Sequence, residues 1–287
     1  MENSCLNSTD KIMDIPSRLP ADVRAYLDRI GFTGPIDRSA HTLAGLQAAH
    51  LMAVPYENLD ILGKVPLSLE IPDLYDKLVR RRRGGYCFEL NGLFAWLLEQ
   101  LGFPVTQFMA RFLRDETGIP MRRHRVLRVE AEGQPWLCDV GVGGACPLLP
   151  LLLEEGVSQP QGEGDAEVYR LVREPFLGWI VEEWRKGAWS RYYSFTEEPQ
   201  LPLDYVMPSF WCEHAPESFF TQTALVSRRT PEGRVTVSGE EFRIFDRAGV
   251  QAFTPASPAE RNEALRRHFG ICLEASHGFA GAVCMER

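Results

Sequence analysis

The residue whose surroundings most suggest chemistry is Cys87. It stands in the stretch RRRGGYCFELNGLF, residues 81–94, after two glycines and before a strongly amphipathic helical pattern. Four readings are open: a nucleotide cradle, a metal ligand, a packed core thiol, or a nucleophile held at a helix start. A phosphate cradle needs further glycines or a Lys-Ser/Thr pair behind them, and GGYCFEL has neither. The metal reading is weak too. None of the seven cysteines (Cys5, Cys87, Cys138, Cys146, Cys212, Cys272, Cys284) forms a CxxC, and the six histidines make no HxxxH or HExxH. No metal is expected. A thiol in the first turn of a helix faces unpaired backbone N–H groups and the positive end of the macrodipole, and both favour its thiolate. The same N–H groups can hold the oxyanion that forms when sulfur attacks a carbonyl. Gly84 and Gly85 would let a substrate approach the backbone without meeting a Cβ.

A nucleophilic thiol needs a base, and the base an orienting acid. Residues 122–144, RRHRVLRVEAEGQPWLCDVGVGG, offer both in one hairpin. With Glu132-Gly133 as a two-residue turn, position 126 lies opposite 139, and 124 opposite 141. His124 and Asp139 then share one face as diagonal neighbours, roughly 7–8 Å apart at Cα. A slip of one residue would put them on opposite faces. The other histidines lack such a partner: His41 and His50 sit on early helices, His268 follows two arginines, and His277 precedes a glycine. Taken singly, Cys87 reads as a core thiol, His124 as a strand-edge histidine and Asp139 as a loop carboxylate. Together they make Cys–His–Asp catalysis a candidate.

The elements that must position them follow from periodicity. Residues 1–19 read as an extension ending at Pro20. ADVRAYLDRIGFTG is an amphipathic helix stopped by Gly31, and SAHTLAGLQAAHLMAV a second, capped by Ser39 or Thr42 with Pro55 beyond it. IPDLYDKLVRRRR predicts a third. The cysteine helix carries Leu90, Leu93, Phe94, Leu97, Leu98 and Leu101 at helical spacing, then ends at Gly102 and Pro104. After Pro104 the segments VTQFMARFL, HRVLRVEAE, PWLCDVGV, EVYRLVRE, GWIVEEWRKGAWSRYYSF and GRVTVSGEEFRIF read as strands. Residues 154–167 are a polar loop, 203–226 are mixed, and SPAERNEALRRHFGI is a closing helix. Helices, then strands, then a mixed lobe make an α+β chain.

Composition narrows the function classes. The chain has 287 residues, 45% apolar and 24% charged, as in an ordinary globular protein. A net charge of -8 argues against nucleic acid as a partner. The run Arg80–Arg83, with Arg122, Arg123 and Arg125, is either a solvated basic face or a site for an anionic ligand. The N-terminus has no apolar stretch of signal-peptide length and no window approaches a membrane span. A cytoplasmic location and reduced cysteines are expected.

RGGYCFELNGLF resembles the RGGxCxExN signature of the arylamine N-acetyltransferases, with Cys87 at the nucleophile position. HRVLRV resembles that family's histidine strand, and LCDVGVGG its Asp-containing segment. VPYENLDIL (54–62) is similar to its PFENL block, AYLDRIGF to its opening helix, and HGF (277–279) to a short C-terminal signature. The resemblance implies a helical bundle over 1–105 with the cysteine, a β-barrel over 106–205 with the histidine and aspartate, and an α/β lid over 206–287, the first two like the core of papain-like cysteine proteases. It implies Cys87, His124 and Asp139 as a triad, acetyl-CoA as acyl donor, and an aromatic amine or hydrazine as acceptor in a ping-pong reaction. It further implies that Gly143 and Gly144 border the CoA pyrophosphate, that Ser218 contacts the cofactor from the lid, and that Glu57 and Arg83 form a structural ion pair. Tyr86, Phe88 and Phe219 read as acceptor-pocket aromatics or as core.

Two positions depart from the family pattern. Val142 stands where Phe is usual, so a smaller side chain is expected beside the acceptor. Arg123 precedes the histidine where Thr or Ser is usual, a charge that would favour CoA phosphates or depress the histidine. Rival readings with the same residues are an amide synthase with another acyl donor and a papain- or transglutaminase-like thiol hydrolase. A silent binding protein for CoA or aromatic ligands would show an altered triad, and this triad is intact.

Overall fold

The computed structural model of the protein describes residues 19–162 and 167–273. The N-terminal extension, Cys5, His277, the HGF signature and Cys284 lie outside the described residues. The first helix, Ala21–Ile30, ends at Gly31 with φ +68°, and the second, Ala40–Ala53, starts where Ser39 Oγ accepts the Thr42 N–H at 3.1 Å. The third differs from expectation. Only Ile71–Tyr75 is α-helix, and Asp76–Arg80 widens into a π turn that carries Lys77 inward.

The cysteine helix, Cys87–Gln100, also departs from the amphipathic reading. Between Cys87 and Leu98 only Trp96 is not buried. The helix runs through the core, and its polar residues are bonded inside rather than solvated. Glu89 Oε2 accepts the Tyr86 N–H at 3.1 Å, and its Oε1 accepts from Lys77 Nζ at 2.7 Å. Lys77 also meets Asp60 at 2.7 Å, and Asp60 meets Arg83, which bonds Glu57, each again at 2.7 Å. The expected Glu57–Arg83 pair is therefore part of a buried network of three carboxylates and two cations beneath the helix start.

This network has a pH signature. Burial pushes the Glu89 carboxyl up to about 7, against the pull of Lys77. A carboxyl raised on folding adds stability below its unfolded value near 4.5, and that stability is lost as pH rises toward 7. The stability difference between the protein and its Glu89→Gln variant is thus expected to fall from about pH 4.5 to about pH 7 and then level off. Urea midpoints at several pH values measure it. A difference independent of pH would mean Lys77 keeps Glu89 ionised throughout.

Eight antiparallel strands form a near-closed barrel in the order Leu151–Leu152, Gln134–Cys138, His124–Ala131, Val105–Phe112, Ala188–Phe195, Gly178–Arg185, Val168–Glu174, Gln159–Pro160. Gln159–Pro160 lies in what the sequence reads as a loop. The hairpin turn is Glu132-Gly133, with φ +54° and +73°, the two positive values of a type I′ turn. Its register pairs Ala131 with Gln134 and Leu127 with Cys138, which is the pairing that turn predicts.

A second sheet has the order Tyr56–Glu57, Leu225–Thr230, Gly233–Ser238, Glu241–Asp246, Gly249–Phe253. Its first strand comes from the N-terminal third. Tyr56 pairs with Ser227 and Glu57 with Val226, and Asn58 Nδ2 donates to the Phe220 and Thr223 carbonyls. The closing helix, Pro258–Phe269, packs Leu265 and Phe269 onto this sheet. Cys87, Cys138, Cys146 and Cys212 are free, whereas Cys272 is disulfide-bonded, unlike the expected reduced set. Among the described residues no helix is long and apolar enough to cross a membrane.

Candidate active site

Cys87 opens its helix with Tyr86 as N-cap, and its thiol stands 3.7 Å from the Arg123 carbonyl, to which it donates. The residue is only 2% exposed. Burial pushes the thiol well above its ordinary range, Cys212 and Asp139 add to that, and the backbone N–H groups of Arg125 and Phe88 pull the other way. The helix-start argument foresaw the pull of the N–H groups and missed the larger cost of desolvation. An isolated thiolate is disfavoured here, so the sulfur needs a base to take its proton.

The hairpin supplies one. His124 Nε2 lies 2.6 Å from Asp139 Oδ2, both side chains being buried. An ionised carboxylate only accepts, so Nε2 carries the proton and Nδ1 is left as the basic nitrogen. The His124 ring is held edge-on by Phe112 and Tyr193, with centroids 5.0 and 5.5 Å away.

Asp139 is fixed from three sides. Asn91 Nδ2 and the Gly141 N–H each donate to its Oδ1 at 2.9 Å, and its own N–H donates to Gln47 Oε1 at 3.2 Å. Asn91 also donates to the Arg125 carbonyl at 2.6 Å and accepts the Val140 N–H at 2.9 Å. One amide thus ties the cysteine helix, the histidine strand and the aspartate loop together. Sequence reasoning gave Asn91 and Gln47 no role. The signal for Asn91 was present, since it sits four residues after Cys87 on the same helical face.

The glycines do something other than admit substrate. A Cβ on Gly84 would stand 2.1 Å from the Pro55 carbonyl oxygen, and one on Gly85 2.7 Å from the Glu89 carboxylate. They allow the segment before Cys87 to lie against Pro55–Glu57 and beneath the Glu89 cap. The glycine that faces the nucleophile is Gly141, whose Cβ would be 2.7 Å from Cys87 Cα. Continued one step, the hairpin register puts Gly141 across from His124, which brings the histidine to the thiol.

Cys87 and His124 line one cavity of about 380 Å³. Its walls come from all parts of the chain: Tyr56, Phe112, the Gly141–Gly144 loop, Phe219 with Phe220, and the strands around Ser227 and Val237. A neighbouring cavity of about 400 Å³ shares Arg114, Gly144 and Thr236 with it. Gly143 and Gly144 line the first cavity. Ser218 does not; it is fully buried and donates to the Cys212 carbonyl at 2.7 Å. Val142 does not line this cavity either, and its side chain packs in the hydrophobic core. Tyr86 and Phe88 are core, and of the three aromatics only Phe219 lines the cavity.

A buried thiol and a carboxylate-held imidazole on one cavity are suited to making and breaking an acyl thioester, which defines a class of thiol-dependent acyl-transfer proteins. Residues 39–277 match the family model described as N-acetyltransferase. The arylamine N-acetyltransferase / N-hydroxyarylamine O-acetyltransferase of Salmonella typhimurium is 35% identical over 249 residues, covering 85% of this chain and 87% of that one. A solved Salmonella typhimurium arylamine N-acetyltransferase superposes with a TM-score of 0.84 at 32% identity, covering 88% and 92% of the two chains. The Mycobacterium marinum arylamine N-acetyltransferase in complex with CoA gives 0.79 at 33% identity, covering 87% and 92%. The chain belongs to the arylamine N-acetyltransferase family.

Proposed function

We infer that the protein transfers the acetyl group of acetyl-CoA to the nitrogen of aromatic amines, through an acetyl thioester on Cys87. Besides family membership, the observation that carries this is the single cavity shared by Cys87 and His124, with Asp139 behind the imidazole.

Acyl transfer begins when the Cys87 proton passes to His124 Nδ1. The resulting ion pair is formed inside the protein, where Asp139 stabilises the imidazolium through Nε2. Sulfur attacks the thioester carbonyl, and the helix-start N–H groups, which have no intrahelical acceptor, receive the oxyanion. CoA leaves as its thiol, taking the proton from His124. An aromatic amine is weakly basic and arrives neutral, attacks the acetyl-Cys87 carbonyl, and gives a proton to His124 as the thiolate departs. Near-complete burial of Cys87 keeps water from the acyl-enzyme meanwhile.

Gly143 and Gly144 are the proposed passage for the CoA arm. A Cβ at Gly144 would meet nothing within 4 Å, and the second cavity begins at the same residue. The Gly144 N–H already donates to Ser227 Oγ at 2.9 Å, so it offers CoA space rather than a free donor.

The experiment is intact-mass measurement after incubation with acetyl-CoA alone. One acetyl group on Cys87, discharged by an aromatic amine as its N-acetyl product, is the expected result. No adduct, or an adduct that no amine discharges, would sink the reading. Asn91→Ala tests the positioning of the site. It strips a donor from Asp139 and orphans the Val140 N–H, so with His124 slackened acetyl-CoA should acylate Cys87 about 10²-fold more slowly in single-turnover measurements. An unchanged acylation rate would leave Asn91 a purely structural residue.

A further inference from the structure

We propose that Arg123 selects the acceptor, and that the preferred amines are aromatic rings carrying a carboxylate that pairs with its guanidinium. The inference rests on the acyl-transfer reading above and deepens it.

Arg123 lines the same cavity as Cys87 and His124, whose walls are otherwise mostly apolar. Its guanidinium lies 4.7 Å from the centre of the Phe219 ring, and its side chain is 14% exposed. Its nearest carboxylate, Glu116, is 3.8 Å away and 42% exposed, so the pair is loose and open to water. The cavity's other arginine is differently placed. Arg114 Nε donates to Glu183 at 2.8 Å, Nη2 donates to the same carboxylate, and the guanidinium stacks 4.0 Å from the Tyr192 ring. Arg114 is neutralised where it stands, while Arg123 is held only by the looser contact with Glu116, which lines the same cavity.

Distance decides what that charge meets. A pantetheine arm holds the CoA phosphates roughly 15 Å from the thioester sulfur when extended. The Arg123 carbonyl is 3.7 Å from the Cys87 sulfur. An arginine side chain reaches only about 6–7 Å from its Cα. The guanidinium therefore stays at the reacting end of the arm, in range of the amine's ring and its substituents. A ring carboxylate would displace the exposed Glu116 and take both guanidinium N–H groups, with the acceptor ring close to Phe219. The amine nitrogen of such a compound remains neutral and nucleophilic.

The test compares para-aminobenzoate with para-aminobenzamide, and the meta pair likewise, as kcat/KM ratios in which intrinsic amine reactivity cancels between proteins. Arg123→Gln should lower the acid-to-amide ratio by about tenfold or more, Arg123→Lys should retain part of it, and Arg123→Glu should invert it. The unaltered protein gives a check that needs no variant: benzoate should compete with the acceptor at a concentration about tenfold below benzamide. A ratio that moves less than about threefold in Arg123→Gln, or benzoate binding no tighter than benzamide, overturns the proposal. The acetyl adduct from acetyl-CoA alone separates the two readings. An adduct that forms while the ratio stays put removes only the role of Arg123, and no adduct removes both.

Discussion

The Cys87→Ala protein will gain no acetyl mass from acetyl-CoA, and its transfer to any aromatic amine will fall by at least about 10⁴-fold. The magnitude follows from the proposed two-step chemistry. Without the sulfur there is no acyl-enzyme, and a single-step attack must bring amine and thioester together in a cavity of about 380 Å³ built around the thiol. Alanine is a good helix former, and Cys87 sits at the helix start. The melting temperature should therefore barely move, which separates lost chemistry from lost folding. Cys87→Ser should be nearly as inactive. The burial that raises the thiol disfavours an alkoxide more, so no ion pair with His124 is formed ahead of the attack. A serine variant within tenfold of the parent would show that proton removal is not what the site was built for. Mass spectrometry and steady-state rates on both variants decide the matter.

The Arg83→Met protein will be destabilised by about 3–5 kcal/mol, the usual loss when one partner of a buried ion pair is removed. Arg83 Nη2 reaches Glu57 and Asp60 at 2.7 Å each, and Nε reaches Glu57 at 2.9 Å. Burial alone would raise Asp60, yet Lys77 and Arg83 hold it below the usual carboxylate range. With Arg83 gone, Glu57 and Asp60 lose these buried guanidinium contacts. At roughly 2–4 °C per kcal/mol, the melting temperature should fall by about 10 °C, readable by calorimetry. A drop under about 2 °C would show that the network is a near-neutral replacement for apolar packing.

The hairpin was legible because its turn is two residues long, and Glu132-Gly133 fixes every pairing above it. That alone placed His124 and Asp139 on one face. The pair Tyr56–Glu57 was not legible: two residues beside Pro55 carry no alternation, and their partners lie beyond position 225. Leu225–Thr230 was hidden in a stretch whose apolar residues follow neither period, and Gly249–Phe253, exposed along its length, shows no buried face. At the site, the nucleophile and its base were readable by type and spacing. Gln47 was not, since an amide beside the carboxylate loop looks like any polar helix residue until the loop arrives, and for Asn91 the only signal was its spacing from Cys87. Val142 and the Gly84–Gly85 pair misled for one reason. Sequence position tells how near a residue is to the site along the chain, and not which way its side chain or its missing Cβ faces.

The pairing of Tyr56 and Glu57 with Val226 and Ser227 bears on how this molecule is born. A ribosome delivers the N-terminus first, and partial chains fold in the order they emerge. By the time residue 144 has emerged, Cys87, His124 and Asp139 are all available, but the wall formed by Leu225, Val226, Thr236 and Val237 is still unmade. The nascent site is a thiol beside an imidazole with one side missing, open to water and to any electrophile in solution. Only when the chain has grown past Ser238 does the late sheet receive Tyr56–Glu57 as its edge strand and complete the cavity wall. Walling in the nucleophile is thus among the last acts of synthesis rather than a property of the segment that carries it.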